Sequence, residues 1–291
     1  MEEKDISLAE APVKKKRHFI LSVIAIALVL LFGGTLLWEL PMLGIRALFP
    51  NMSAGAAFLL LYLSFITIDA AVLVYCALCE KDIFRSFLPK SHGGAVGNTL
   101  KHFGVGLLVG FGLNALCVLL AWLHGDIHLY AGRFELPYLL CALVCVCVQS
   151  SAEELITRGY MMGALQKRYP VWVAVATNSL LFAVLHLANA GVTPLSVLTL
   201  VVYGVAMSLF AYTLQSIWMC MAIHTAWNFT QNFLFGLPNS GIVAEKSFLH
   251  LEAASDSLFY NVGFGVEGSL TAVLLLTGVC VGIVLYARKK G

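Results

Sequence analysis

Apolar runs about as long as a bilayer is thick recur along this chain, and few folds accommodate that pattern. They cover residues 19–38, 54–79, 102–124, 136–155, 171–190, 194–215, 217–235 and 268–287. A transmembrane helix needs about 20 predominantly apolar residues. Inside lipid every backbone N–H and C=O must be satisfied within the protein, which leaves helices or a closed barrel. No segment shows the alternating period of a strand. The expected fold class is therefore all-α, a polytopic membrane bundle of about eight transmembrane helices. Composition excludes the other classes. Hydrophobic residues make up 60% of the chain and charged residues 12%, against roughly half and a quarter in a soluble domain. A net charge of +2, spread along 291 residues, lacks the concentrated cationic face of a nucleic-acid binder, so no nucleic-acid partner is expected.

The first run is too long for a signal-peptide core, and Glu39 and Pro41 follow it where cleavage needs small residues. It reads as an uncleaved first span. The basic residues set the orientation by the positive-inside rule. With the N-terminus in the cytoplasm, fifteen of the eighteen Lys and Arg residues fall inside. Only Arg46, Arg133 and Lys246 fall outside. Both termini are expected to be cytoplasmic, in a plasma-membrane protein. The chain then divides into a cytoplasmic tail (1–18), three N-terminal helices (19–135), a dense four-helix core (136–235), an extracytoplasmic loop (236–267), and a last helix with a basic tail (268–291). The loop holds Glu245, Glu252, Asp256 and Glu267 against Lys246. An acidic outer loop is the ordinary complement of a basic inner face. The eight cysteines lie in or beside apolar runs and read as small packing residues rather than a disulfide framework. Cys76 and Cys79 have CxxC spacing without a second pair or a nearby His.

An ionisable group at the bilayer centre costs roughly 2.5–3.5 kcal/mol on insertion scales. Those in or near the apolar runs are Asp69, Glu153, Glu154, Arg158, His186 and His224, and all but Asp69 fall between 153 and 224. Glu154 and Arg158 are i,i+4 with the acid first, the favourable order for an ion pair. Glu153 is turned about 100° away and is left to face something else, which suits a general base. An ordinary helix-end salt bridge explains Glu154 and Arg158 equally well. Phe182 and His186 share a helix face one turn apart, with Asn178 on the same stripe. Tyr169-Pro170 would turn a helical hairpin with Glu153 sixteen residues before Tyr169 and His186 seventeen after it. That puts carboxylate and imidazole at the same height. His224 and Asn228 share a third face, prolonged by Gln231 and Asn232. Such a pair could bridge helices, donate to an oxyanion or wall a metal site. Asp69 has no evident role. His224 lies about 12 Å in from the turn near Ser216 by helix rise, shallower than Glu153 and His186 counted from Tyr169. The mismatch predicts that 158–170 projects into the cytosol, with the cavity opening on that side.

Glu-Glu-x-x-x-Arg, Phe-x-x-x-His and His-x-x-x-Asn, in this order on consecutive membrane segments, resemble the CPBP family. These are the type II CAAX prenyl proteases and their bacterial relatives linked to bacteriocin self-immunity, also called Abi proteins. The resemblance covers about 137–235, a third of the chain, and every motif position is kept: Glu153, Glu154, Arg158, Phe182, His186, His224 and Asn228. It implies an eight-helix intramembrane endopeptidase. Glu153 with His186 would activate water, His224 and Asn228 would stabilise the oxyanion, and Glu154 and Arg158 would support the site beside Phe182. The implied partners are the lipid bilayer and a peptide, prenylated or membrane-protein substrate. The family has been described both as metalloproteases and as metal-free glutamate proteases. No cofactor is expected, because no i,i+4 His–His pair is present; zinc on Glu153, His186 and His224 is the alternative. Two other classes remain open: a non-catalytic immunity or partner-binding protein, and a proton-coupled carrier. Against the carrier, no Gly/Pro-broken helix pair repeats in two halves.

Overall fold

The computed structural model describes residues 19–88 and 95–290. The tail 1–18 with Lys4, Lys14, Lys15, Lys16 and Arg17, and also Lys90, lie outside them. The helices are α1 (Ile20–Leu48), α2 (Ala54–Leu63), α3 (Ile66–Cys79), α4 (Lys81–Phe87), α5 (Ala95–His124), α6 (Leu136–Glu154), α7 (Met162–Gln166), α8 (Val171–Leu185), α9 (Pro194–Leu214), α10 (Ile217–Phe229) and α11 (Leu270–Lys290). The all-α membrane bundle is thus present, with two departures from expectation. Among the described residues six spans, where about eight are expected, are long and apolar enough to cross a bilayer, with α2 and α3 together forming one of them. The other two segments yield shorter helices, α8 and α10. A two-stranded antiparallel ribbon also joins β1 (Ile127–Ala131) to β2 (Leu249–Ala254). It unites segments more than a hundred residues apart, and their apolar alternation is too short to stand out in the sequence.

Local chemistry sets the helix ends. Ser53 caps α2 by accepting from the Ala56 N–H. Thr193 and Ser196 form a capping box that spans Pro194, which suits the first turn because it has no N–H to satisfy. Gln215, at φ 50°, ends α9 in the left-handed region. Two helices carry a widened π turn. Leu155–Met161 links α6 to α7 in one continuous rod, and Thr230–Leu234 extends α10. Single π turns of this kind concentrate at functional sites.

The rod Leu136–Gln166 runs through the whole bundle. At one end Glu135 pairs with Lys246 at 3.0 Å; at the other Lys167 pairs with Glu80 and Asp82, each at 2.7 Å. Hydrogen bonding to Lys167 holds the Asp82 carboxyl below the usual range. The segment after Glu154 does not project from the bundle as expected. Residues 155–162 are buried because α4 folds across that end, with Phe87 against Gly159 and Ile83 against Gly163. No disulfide links the eight cysteines.

Helices approach closely where side chains are small, the usual basis of packing in lipid. Gly106 and Gly110, four residues apart on α5, lie against the backbone of α10. A Cβ at Gly110 would sit 2.3 Å from the Ile223 carbonyl oxygen. Gly110→Val is therefore expected to cost about 1–3 kcal/mol through overpacking and to displace the helix that carries His224. Thermal unfolding in detergent checks this; an unchanged midpoint would show that the α5–α10 contact tolerates separation.

Candidate active site

The site lies where two apolar cores meet. One gathers Cys117, Ile223, Trp227 and Phe264; the other gathers Val23, Val72, Phe87 and Tyr160. Between them is a cavity of about 470 Å³ whose walls include Glu153, His186, His224 and Asn228. The three motif segments thus share one cavity. The cavity extends toward Asn239, Ser240 and Glu267, the side of the 236–267 loop, and not toward the 158–170 turn.

The two adjacent glutamates have different surroundings. Glu154 is fully buried and accepts from Arg158 Nη1 at 3.2 Å and from His224 Nδ1 at 3.0 Å. Arg158 also donates to Thr157 Oγ1 at 2.8 Å and to the Gly204 carbonyl at 3.2 Å, and its guanidinium lies 4.9 Å from the Phe182 ring centroid. A buried carboxylate needs such compensation, since unpaired charge is costly away from water. Glu153 is turned to the cavity. Its Oε1 accepts from Gln149 Nε2 at 2.6 Å, and its Oε2 has no hydrogen-bond partner. The His224 ring stands between the pair, with Nε2 3.7 Å from Glu153 Oε2. A carboxylate that fixes one ring nitrogen sets the direction in which the other faces. Here Glu154 fixes Nδ1, so Nε2 faces Glu153.

His186 sits at the C-terminal end of α8, where its Nδ1 bonds the Phe182 carbonyl at 2.7 Å. This leaves Nε2 as the nitrogen available to other groups. Among the described residues no hydrogen bond or ion pair joins His186 to Glu153; the two share the cavity wall. Phe182 packs between His186, Arg158, Tyr203 and His224. Asn228 donates from Nδ2 to Gln149 Oε1 at 3.1 Å and accepts from Asn239 Nδ2 at 3.2 Å. Asn178 accepts from Ser208 and ties α8 to α9. Gln231 and Asn232 bond the loop carbonyls of Pro238, Leu237 and Ile242 and hold that loop in place. Asp69 is outside the site, on α3, with one buried oxygen unpartnered.

Among the described residues no three His, Cys, Asp or Glu side chains are gathered so as to hold a metal ion. His224 Nδ1 is engaged by Glu154 and His186 Nδ1 by a backbone carbonyl, so each ring has its Nε2 left for the cavity.

Three residues of the site were missed in the sequence. Gln149 lies one turn before Glu153 on the same face, a spacing that could have drawn attention to it. Asn239 and Glu267 come from the outer loop and carry no such signal. Glu267 is not the solvated acid expected there. It is 7% exposed and accepts from Trp227 Nε1 at 2.8 Å, Asn239 Nδ2 at 3.0 Å, and the Ser240 N–H and hydroxyl, each at 2.7 Å. Burial pushes its carboxyl above the usual range, opposed by the Ser240 and Trp227 donors.

No match to the chain was found among curated proteins or among solved structures. Residues 133–230 match the family model of Rce1-like type II CAAX prenyl endopeptidases. That stretch begins just after β1, runs through α10 and contains Glu153, Glu154, Arg158, Phe182, His186, His224 and Asn228. The match supports a peptidase built into a membrane bundle. Residues 133–230, about a third of this integral membrane protein, are thus similar to the Rce1-like type II CAAX prenyl endopeptidases.

Proposed function

We propose that this protein is an intramembrane endopeptidase that hydrolyses a peptide bond of a membrane-associated, prenylated or peptide substrate. The observation that carries this reading is the convergence of Glu153, His186, His224 and Asn228 on one cavity inside the bundle. Glu153 Oε2, buried and without a hydrogen-bond partner, takes the proton of the attacking water, with His186 Nε2 holding that water. The tetrahedral intermediate develops negative charge on the former carbonyl oxygen. His224 Nε2 and the Asn228 amide are the donors placed to receive it, and such donors matter most in a water-poor site. With Nδ1–H given to Glu154, an Nε2–H requires the imidazolium, whose charge the flanking carboxylates balance. Arg158 keeps Glu154 in place, so that Glu154 orients His224 and does not attack. The leaving amine then takes up the proton held by Glu153. Both termini face the cytoplasm of a plasma-membrane protein in this reading, with the 236–267 loop outside.

The test is cleavage of a quenched-fluorescent peptide library, including prenylated CAAX peptides, by purified protein with and without chelator. Activity that needs Glu153 and ignores chelator supports the reading; activity abolished by chelator overturns the metal-free mechanism. Losing one oxyanion donor typically lowers rate on the order of 10²–10³-fold. His224→Ala is expected to reach that loss or exceed it, because it also strips a partner from buried Glu154. Asn228→Ala should be milder, and His186→Ala should approach inactivity. Equal rates for His224→Ala and wild type would remove His224 from the chemistry.

A further inference from the structure

The peptidase reading uses Asn228 as a donor and one oxygen of Glu153 as a base, but neither role follows from side-chain identity alone. A carboxamide has an acceptor oxygen and a donor nitrogen of nearly the same shape. Its neighbours decide which end faces the substrate. In this site the deciding neighbours form a chain that ends on the outer loop.

Glu267 is held by Trp227 Nε1–H and the Ser240 backbone N–H, which can only donate. It therefore stands as a fixed acceptor. Ser240 is itself pinned, in the left-handed region at φ 47°, with its carbonyl accepting from Asn189 Nδ2 at 2.9 Å. Asn239 must turn its NH₂ toward that carboxylate, at 3.0 Å, and the same nitrogen reaches Asn228 Oδ1 at 3.2 Å. Asn228 then has only its NH₂ left to offer, and it gives a hydrogen to Gln149 Oε1 at 3.1 Å. Gln149 in turn directs its NH₂ to Glu153 Oε1 at 2.6 Å. Acceptor-only groups close both ends, and Asn239 is the one double donor between them. Every link has a single permitted sense. Turning any amide over would set oxygen against oxygen, or nitrogen against nitrogen, inside a buried network, where an unmade bond is expensive.

We propose that Glu267 is a positioning residue of this site: through Asn239 it fixes which way round the Asn228 and Gln149 amides face. Asn228 thereby presents N–H, and not oxygen, where an oxyanion would form. Gln149 occupies Glu153 Oε1 and leaves Oε2 as the oxygen free to take a proton. The inference rests on the peptidase reading for its consequence in rate, while the amide orientation stands apart from it.

The experiment measures kcat and KM on a cleaved peptide for wild type, Glu153→Ala, Glu267→Gln, Asn239→Ala, Asn228→Ala and the Glu267→Gln/Asn228→Ala pair. It also records side-chain amide signals from ¹⁵N-asparagine-labelled protein, assigned by single substitution. Glu267→Gln is expected to lower kcat about 10–100-fold, the usual scale for a supporting residue one shell out, with KM within about twofold of wild type. Asn239→Ala, which leaves Glu267 its Trp227 and Ser240 partners, should give the same pattern, and it serves if Glu267→Gln does not fold. Adding Glu267→Gln to Asn228→Ala should produce less than the full further loss, because the two act through one chain. The Asn228 amide signals should move in both Glu267→Gln and Asn239→Ala. Wild-type kcat in both variants, a fully additive double variant, or unmoved amide signals would each overturn the inference. If wild type and Glu153→Ala cleave alike, the peptidase reading falls, and the amide signals alone decide the orientation.

Discussion

Glu153→Gln is expected to leave a folded protein whose peptide hydrolysis is slower on the order of 10²–10⁴-fold, the range supplied by a positioned general base. The substitution suits the test because it changes little else. A glutamine at 153 still offers an oxygen to Gln149 Nε2, the one hydrogen bond the Glu153 side chain accepts. It loses the basicity of Oε2, the atom without a hydrogen-bond partner, together with one of the two charges that face His224. Glu154→Gln separates the roles of the two neighbours. It keeps the one oxygen that accepts from both Arg158 and His224 but removes the charge that balances them. The expected loss there combines rate with stability, whereas that of Glu153→Gln, on a partly exposed side chain, falls mainly on rate. Purified variants at matched abundance, assayed on one peptide and melted in one detergent, distinguish these outcomes. Retention of most activity by Glu153→Gln would remove Glu153 as the base.

The largest expected effect on stability comes from Arg158→Ala. The Arg158 and Glu154 side chains are fully buried as an ion pair, and removing one partner of a buried pair typically costs about 3–5 kcal/mol. Arg158 also donates to Thr157 and to the Gly204 carbonyl of α9, and it lies over Phe182 on α8. Three helices therefore lose a common anchor, and Glu154 keeps only His224. Lysine is expected to rescue little, since a point-charge ammonium does not reproduce the planar fork of a guanidinium. Thermal or denaturant unfolding in detergent checks this. A loss well below 1 kcal/mol would mean that water reaches Glu154 and screens it.

The sequence carries most of this architecture because membrane helices announce themselves by length and polarity. The broken register inside a span is harder to read. Ser64 and Phe65 separate α2 from α3 in an unbroken apolar run, and neither Gly nor Pro marks the place. The helix α10 is shorter than its apolar run because the run continues into a π turn and loop. At the site, helical spacing links Glu154 with Arg158, Phe182 with His186, and His224 with Asn228. The bond from His224 to Glu154 spans seventy residues, which helical spacing does not reach. Glu267 was hidden for another reason. In an acidic loop it looks like one more solvated charge, and only the folded loop shows four donors closing on it.

The widened turn at Leu155–Met161 has a consequence for insertions and deletions. A deletion of one residue between Gly159 and Met161 would leave Glu153, Glu154 and Arg158 in their spacing, and a motif search would still find the site whole. The widened turn holds more residues than a regular α turn, so closing to α geometry absorbs the loss and the helix beyond keeps its register. Met162, Ala164 and Leu165, now fully or nearly fully buried, would stay in their seats, with Lys167 still on Glu80 and Asp82. The change would fall on the turn itself, where Arg158 reaches Glu154 and the Gly204 carbonyl, so a shortened homologue should keep its bundle and lose the alignment of its site.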